Sequence, residues 1–184
     1  MGRSLGRFAA CFTVERADAD ELGKRAITFA VSDADPGAPH LIITRLTELP
    51  SSFERLALAS EREGFEFVRR LELEWRSGSN RFDQPGELLL GVLLGGELEA
   101  IGGLNRDPYL SDPGVGRVRH LFVAPERRNG GVGSGLVRAI MAASFPHFRR
   151  VRLRTANPRS NEFYERLGFK KLAADPTATH AYPE

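Results

Sequence analysis

A glycine-rich turn between an apolar strand and an apolar helix constrains this chain more than any other feature. The strand reads VRHLFV over residues 118–123, and the turn reads RRNGGVGSG over residues 127–135. The first backbone N–H groups of a helix have no intrahelical partner, and glycines let an anion approach them closely. Two arginines beside the three glycines at positions 130, 131 and 133 favour an anion site over a simple tight turn. The turn therefore predicts phosphate binding at the start of the helix.

The spacing of the glycines excludes two common phosphate loops. A nucleoside triphosphate loop needs Gly-Lys-Ser/Thr after its glycines, but the chain has Gly133-Ser134-Gly135 there. A dinucleotide fingerprint starting at Gly131 needs glycine or alanine at position 136, which is Leu136. The pattern that remains is Arg-x-x-Gly-x-Gly.

Apolar periodicity predicts one domain with a mixed sheet and helices on both of its faces. An N-terminal extension, partly disordered, is expected over residues 1–36, with one strand at 26–31, and a single domain over 37–184. Strands are predicted at 41–46, 88–94, 98–104, 118–123, 151–155, from 169 and near 179–182, and helices at 53–78 with a break at Gly64, from 132, and after Asn157-Pro158.

Composition excludes several classes of protein. The 184 residues include a single cysteine, Cys11, so a disulfide-stapled secreted scaffold is ruled out and a cytoplasmic location is expected. The longest apolar run, residues 88–94, is far shorter than the roughly 20 residues of a membrane-spanning helix. A net charge of +2 and the lack of aromatics within FRRVRLR argue against a nucleic-acid partner.

Two motifs carry a family resemblance. The stretch LFVAPERRNGGVGSGLVRAIM (121–141) resembles the acetyl-coenzyme A loop of the GNAT N-acetyltransferase superfamily, and NPRSNEFYERLGFKK (157–171) resembles its second signature. The likeness covers residues 41–172. It implies an α/β fold with a mostly antiparallel sheet of six or seven strands and one splayed parallel pair. It also implies acetyl-CoA as co-substrate, no metal, and direct attack by a primary amine of a small molecule or peptide.

The resemblance further implies which residues bind the coenzyme. The pantetheine arm would contact the backbone of the strand and Asn157, which is equally suited to cap the last helix. Tyr164 would reach the sulfur and protonate the departing thiolate, while Phe163 and Leu167 supply the packing face of the same helix. The strand contacts and the amides that would bind the pyrophosphate are Leu121, Phe122, Val123, Arg128, Asn129, Gly130, Gly131, Val132, Gly133 and Ser134.

The resemblance does not identify the general base. Many family members have a glutamate on the central strand, but here Arg117 and Arg119 occupy that region. His120 is the local candidate because imidazole titrates near neutrality. A water chain to Asp107 or Glu87 is an alternative, and an acceptor amine of low pKa would need no base. Cys11 lies outside the matched region and is not expected to carry the acyl group.

Loops near the predicted cleft supply the candidate acceptor contacts. Arginines also alternate on two neighbouring strands, at 117 and 119 and at 152 and 154. They form either a solvated face paired with Glu72 and Glu74, which we favour, or a cationic floor for a carboxylate or phosphate. The candidate acceptor contacts are Trp75, Arg81, Phe82, Arg106, Tyr109 and Arg119.

Three classes of function remain in competition. The first is an acetyl-CoA-dependent N-acetyltransferase with no membrane or nucleic-acid partner, in which a homodimer is allowed. The second is a non-catalytic acyl-CoA sensor, suggested by the missing glutamate, against which Tyr164 argues. The third, a nucleic-acid binder, has little support. Release of the coenzyme thiol in the presence of amines separates the first two.

Overall fold

The computed structural model describes the strands Phe12–Arg16 and Ile27–Val31 and then residues 41–183. These two strands, β1 and β2, form a two-stranded antiparallel sheet within the segment that we predicted to be an extension. The sequence predicted only the second of them. Cys11 and the remainder of residues 1–36 lie outside the described residues.

Seven strands form the central sheet, in the order β3-β4-β5-β6-β7-β9-β8. Every neighbouring pair is antiparallel except β6 and β7, which are parallel. The predicted mixed, mostly antiparallel sheet is therefore confirmed. The strands are β3 Leu41–Arg45, β4 Leu88–Leu94, β5 Glu97–Arg106, β6 Val115–Val123, β7 Arg150–Leu153, β8 Lys170–Lys171 and β9 His180–Tyr182.

Helices cover both faces of this sheet. Helices α1 (Phe53–Arg62) and α2 (Phe67–Ser77) enclose one apolar core, which includes Leu56, Leu71 and Phe122. Helices α3 (Val132–Ser144) and α4 (Pro158–Arg166) enclose a second, which includes Leu136 and Tyr164. Gly64 and Gly78 adopt φ values of 79° and 77° at the ends of α1 and α2, as their predicted breaking roles require. None of the helices described is long and apolar enough to cross a membrane.

The parallel pair separates soon after it forms. Only three residue pairs join the strands, ending with Arg117 and Arg152, whereas β6 continues to Val123. Leu153, the last residue of β7, pairs with β9 and not with β6. The second half of β6 therefore has no parallel partner on that edge, and we call the space beside this edge the V.

A β-bulge occurs in β6 beside this opening. Ile101 of β5 pairs with Phe122 and Gly103 pairs with Arg119, so His120 and Leu121 together oppose one residue of β5. His120 has a φ of 56°, a conformation that costs a non-glycine residue of order 1 kcal/mol or more. Bulges bend a strand and redirect its side chains. Here the bulge lies at the point where β6 loses its parallel partner.

A buried charge cluster fixes the closed end of the V. Asp107, 1% exposed, lies 3.4 Å from a guanidinium nitrogen of Arg117 and 3.1 Å from one of Arg152. Arg152 also pairs with Asp175, and Arg117 donates a 2.6 Å hydrogen bond to the carbonyl of Thr177. Because these arginines occupy paired positions on β6 and β7, the single carboxylate of Asp107 bridges the two strands.

Replacing Asp107 with asparagine tests the contribution of this cluster to stability. We expect Asp107→Asn to lower the free energy of unfolding by roughly 3 kcal/mol, because it leaves two buried guanidiniums short of negative charge. Asp112→Asn, which breaks an exposed pair with Arg149, is the control and should change stability little. Thermal unfolding of both variants measures the difference, and equal shifts would contradict the prediction.

Candidate functional site

The glycine-rich turn presents a run of free amides at the mouth of the V. Asn129 and Gly131 adopt left-handed φ values of 64° and 82°, and α3 begins at Val132. The first helical bond runs from the N–H of Gly135 to the carbonyl of Gly131, at 2.9 Å. Within the described residues, the N–H groups of residues 129–134 have no hydrogen-bond partner. This run of donors at a helix N-terminus is suited to an anion.

Arg128 anchors the turn. Its guanidinium makes two hydrogen bonds with Glu63, of 2.7 and 2.8 Å, and its Nε donates to the carbonyl of Val123 at 3.0 Å. Its own amide donates to the carbonyl of Pro125 at 3.3 Å. The prediction that the Arg128 amide is a free pyrophosphate donor is therefore wrong, and the free donors begin at Asn129.

Strand β6, α3 and α4 meet at this place. Leu121 and Val123 are half-buried on the α3 side, whereas Phe122 is buried in the core under α1 and α2. A Cβ on Gly133 would lie 3.3 Å from the side chain of Val123 and 3.6 Å from the ring of Phe163. The start of α3 is therefore in contact distance of the open part of β6 and of α4.

Tyr164 is the one buried residue of α4. Its ring packs against Phe163 at 5.0 Å, Phe169 at 5.7 Å and His180 at 6.1 Å between centroids. Phe163 and Leu167 pack against this core as predicted, but both are only half-buried, and Tyr164 packs there more deeply than either. Burial raises the pKa of the Tyr164 phenol, and no hydrogen bond of its hydroxyl to another described residue contributes to that shift. The phenol is therefore held protonated and free to donate.

Asn157 caps α4. Its side-chain oxygen accepts a 3.0 Å hydrogen bond from the N–H of Arg159, and Pro158 follows as the first helical residue. The capping role that the sequence predicted is present. A contact between Asn157 and a coenzyme stays a prediction.

His120 is held in one orientation by the bulge. Its Nδ1 lies 2.8 Å from the carbonyl of Phe67, so Nδ1 carries the proton and donates it. Nε2 is buried without a hydrogen-bond partner and lies 3.8 Å from Oε2 of Glu74. Burial, and next the charge of Arg119, lower the pKa of His120 to about 4. His120 is therefore neutral near pH 7 and a weak base.

Glu74 is a functional candidate that the sequence pointed to only as an ion-pair partner. It extends from α2 and lies 3.4 Å from a guanidinium nitrogen of Arg119. The amide of Asn80 donates to it at 3.3 Å, and Asn80 and Asn105 exchange hydrogen bonds of 3.2 and 3.0 Å. This network, spread over α2, a loop and β5, has no local sequence pattern.

An open cavity of about 410 Å³ lies beside Glu74. It is bounded by α2, the loop at residues 78–87, the end of β5 and Arg119 of β6. Three of the six predicted acceptor contacts, Arg81, Arg106 and Arg119, line it. Glu87 also lines it and accepts a 2.9 Å hydrogen bond from the N–H of Arg106.

The other three predicted acceptor contacts lie elsewhere. Trp75 and Phe82 are 7% and 2% exposed and belong to the core under α1 and α2, so they pack rather than face an acceptor. Tyr109 is 61% exposed, does not line the cavity, and stacks on Arg117 with the guanidinium 4.8 Å from its ring centre. Trp75 and Phe82 pack in the core beneath the loop at residues 78–87 and do not line the cavity.

The arginines of β6 and β7 do not form a cationic floor. Arg117 and Arg152 are neutralised by aspartates, and Arg154 donates to the carbonyl of Pro176. The favoured pairing with helix glutamates is correct for Arg119 and Glu74 only, because Glu72 pairs with Arg69 and Arg76 instead. Asp107 is too deeply buried in its charge cluster to relay a proton through water.

Comparisons with known proteins agree with this geometry. A sequence model of the acetyltransferase (GNAT) family matches residues 47–169. A presumed acetyltransferase from Exiguobacterium sp. 255-15 is 28% identical, with a TM-score of 0.69 over 77% of this chain and 91% of that chain. The fold is also shared with an acetyltransferase from Streptococcus agalactiae 2603, 17% identical with a TM-score of 0.60 over 77% and 95% of the two chains. Glucosamine-6-phosphate N-acetyltransferase from Arabidopsis thaliana is 18% identical, with a TM-score of 0.52 over 74% and 96%.

The comparison with curated proteins finds no match. The family match nevertheless covers more than half of the chain and includes the glycine-rich turn, the bulged strand and Tyr164. The chain therefore belongs to the GNAT family of acetyltransferases.

Proposed function

We propose that the protein transfers the acetyl group of acetyl-CoA to a primary amine, with residues 37–184 as the catalytic domain. The observation that carries the proposal is the meeting of two features. The free amides of residues 129–134 lie where β6 has lost its parallel partner, so a diphosphate and a strand-pairing ligand arm can bind together. A cytoplasmic location and the choice between monomer and homodimer stay predictions from the sequence.

The described residues fit a coenzyme A molecule in the V. Its diphosphate would accept hydrogen bonds from the turn and from the first amides of α3, where the helix dipole adds positive potential. Its extended arm, which carries amide groups, would pair with the open edge of Leu121, Phe122 and Val123 in the manner of an added strand. The carbonyl of Val123 is already bound by Arg128, so we assign the arm to the groups that precede it.

Tyr164 would act as the general acid. A developing thiolate needs a proton donor, and a phenol whose pKa is raised by burial stays protonated throughout the neutral range. Its free hydroxyl requires no competing hydrogen bond to be broken before it donates. The ring is fixed by three aromatic neighbours, which orients the hydroxyl in advance.

The chemical step would be a direct acyl transfer. The amine nitrogen forms a bond to the thioester carbonyl carbon, the carbon–sulfur bond breaks, and a backbone amide near Phe122 or Val123 stabilises the oxyanion. His120 does not suit the role of general base, because burial favours its neutral form and lowers its basicity. Its bare Nε2 is instead placed to accept a hydrogen bond at the acceptor side of β6.

A glutamate at position 134 tests the phosphate site. Ser134 is the third residue of α3, and the first turn of this helix contains no acidic residue. We expect Ser134→Glu to stabilise the protein slightly, by about 0.5 kcal/mol, because a carboxylate complements the helix N-terminus. The same charge should weaken coenzyme A binding by about tenfold or more, through repulsion of the diphosphate and competition for the amides.

Calorimetric titration with coenzyme A and thermal unfolding measure these two opposite changes. Ser134→Gln is the control, because it has nearly the same size and no charge. Unchanged coenzyme A affinity in the glutamate variant would contradict the assignment of the turn.

Removing the hydroxyl of Tyr164 tests the general acid. Tyr164→Phe should lower kcat by about a hundredfold, as expected for loss of a positioned proton donor. Coenzyme A affinity and the unfolding temperature should change little, because no hydrogen bond of the hydroxyl to a described residue is lost. Release of the coenzyme thiol is measured with a panel of amines. Full activity in the variant would exclude this role, and coenzyme A binding by the wild type without any thiol release would favour a sensor.

A further inference from the structure

The cavity beside Glu74 carries both signs of charge. Three carboxylates and three guanidiniums line its wall, so a ligand with one sign of charge alone would be poorly matched there. The acidic side chains are Glu74, Asp83 and Glu87, and the basic ones are Arg81, Arg106 and Arg119. The balance suits a ligand that carries a cation and an anion together.

The arginines of the cavity differ in what binds them. Arg119 is paired with Glu74 at 3.4 Å. Arg81 has no carboxylate within 4 Å among the described residues; its guanidinium lies 5.8 Å from the ring centre of Trp75. Arg106 likewise makes no ion pair within the described part of the chain. Guanidiniums that line a cavity without a carboxylate partner are suited to bind a carboxylate or phosphate of a ligand.

The acidic side of the cavity has a matching feature. Glu74 is held in place by Asn80 and Arg119, and the unpartnered Nε2 of His120, whose side chain is 3% exposed, lies 3.8 Å from it. A buried lone pair beside a carboxylate is a costly arrangement unless a hydrogen-bond donor joins them during function. An ammonium group, or the protonated form of Glu74, would supply that donor.

The position of the cavity connects it to the V. Arg119 forms part of the cavity wall. It comes two positions after Arg117, the last residue of β6 that pairs with β7. The wall therefore reaches the place where β6 and β7 separate. The cavity lies on the α2 side of β6, whereas the glycine-rich turn belongs to α3 on the other side. Two reactants can thus approach the gap from opposite faces of the sheet.

We propose that this cavity is the acceptor site and that it takes a small primary amine which also bears an anionic group, a carboxylate or a phosphate. Arg81 and Arg106 bind the anionic group, and Glu74 receives a proton from the ammonium. The ammonium loses one proton to Glu74 before it attacks and a second after the new C–N bond forms. One of these protons is balanced by protonation of the thiolate, and the other passes to solvent. The assignment rests on the proposed acetyl transfer.

The volume of the cavity is compatible with a small acceptor. About 410 Å³ lies within the range of small-molecule sites, which span roughly 300–1,000 Å³. This space can hold an acceptor of amino-acid size.

Matched pairs of amines test the anionic preference. The pairs are 4-aminobutanoate with 4-aminobutanamide and ethanolamine phosphate with ethanolamine, so that the carboxylate and phosphate arms are measured separately. We expect kcat/KM to be at least tenfold higher for the acidic member of at least one pair. The double substitution Arg81→Ala with Arg106→Ala should reduce that ratio to within twofold of one. The control Arg62→Ala removes an exposed arginine from the end of α1 and should leave the ratio unchanged.

Other outcomes separate this proposal from the proposed function. Wild-type ratios near one for both pairs, or a double variant that loses activity equally on both members, would overturn the anionic preference while leaving acetyl transfer intact. If no amine releases the thiol, acetyl transfer itself fails. The affinity for the same four amines, measured by calorimetry with coenzyme A present, then tests whether the cavity prefers an acidic amine. Equal binding of the acidic and neutral members of both pairs overturns that preference.

The role of Glu74 has its own test. Glu74→Gln keeps the shape of the side chain and can still accept from Asn80, but it cannot take a proton. We expect kcat/KM for the preferred amine to fall about a hundredfold at pH 7. The loss should shrink as the pH approaches the pKa of the amine, because neutral amine needs no base. The charged or titratable groups around position 74 are Arg119 and His120 of β6 and the cavity-lining Arg81, Asp83, Glu87 and Arg106.

Glu66→Gln is the matched control, since Glu66 is an exposed residue at the start of the same helix and does not line the cavity. It should keep the wild-type rate and pH profile. A Glu74→Gln enzyme within twofold of wild type, or one whose loss is the same at every pH, would overturn the assignment of the proton to Glu74.

Discussion

The site depends on how few residues join β6 to β7. Three residue pairs hold the two strands together, and Asp107 closes that end by bridging an arginine from each strand. A longer pairing would fill the V with backbone hydrogen bonds, and a shorter one would leave the buried arginines without a fixed geometry. The charge cluster is costly in desolvation, but it sets where separation begins. Removing hydrogen-bonding partners from β6 at a defined position is what makes its edge available to a ligand.

The bulge in β6 and the loop at residues 78–87 position polar side chains on the α2 face of the sheet, beside the part of β6 that has no parallel partner. The bulge turns His120 toward α2, where the carbonyl of Phe67 fixes its tautomer. Gly103 lacks a side chain at the position where a Cβ would lie only 2.3 Å from the ring of Phe82. Phe82 can therefore pack directly on β5, with Arg81 beside it in the wall of the cavity. Core packing thus holds the polar residues of an exposed loop in place.

Much of the fold could be predicted from sequence because its signals are local. The break at Gly64, the Asn157 cap and the glycine-rich turn each depend on backbone chemistry within a few residues. Leu153, by contrast, pairs with β9 rather than β6, and no local pattern shows that. The Glu74–Arg119 pair spans 45 positions, and Trp75 and Phe82 resemble pocket aromatics until their burial is known. Roles that depend on tertiary packing could therefore not be predicted from the sequence. The hydrogen bond from the Arg128 amide to the carbonyl of Pro125 was not predicted either.

The proposed acid and the proposed base lie on different faces of the sheet. Tyr164 packs in the core under α3 and α4, and Glu74 extends from α2 on the other face. A complete sheet between them would separate the two groups by a layer of paired backbone. The early end of the β6–β7 pairing removes that layer beside the second half of β6. One reactant can then lose its proton on the α2 side while the leaving group gains one on the α4 side. The splayed strand pair is therefore what allows two separately packed groups to serve a single reaction.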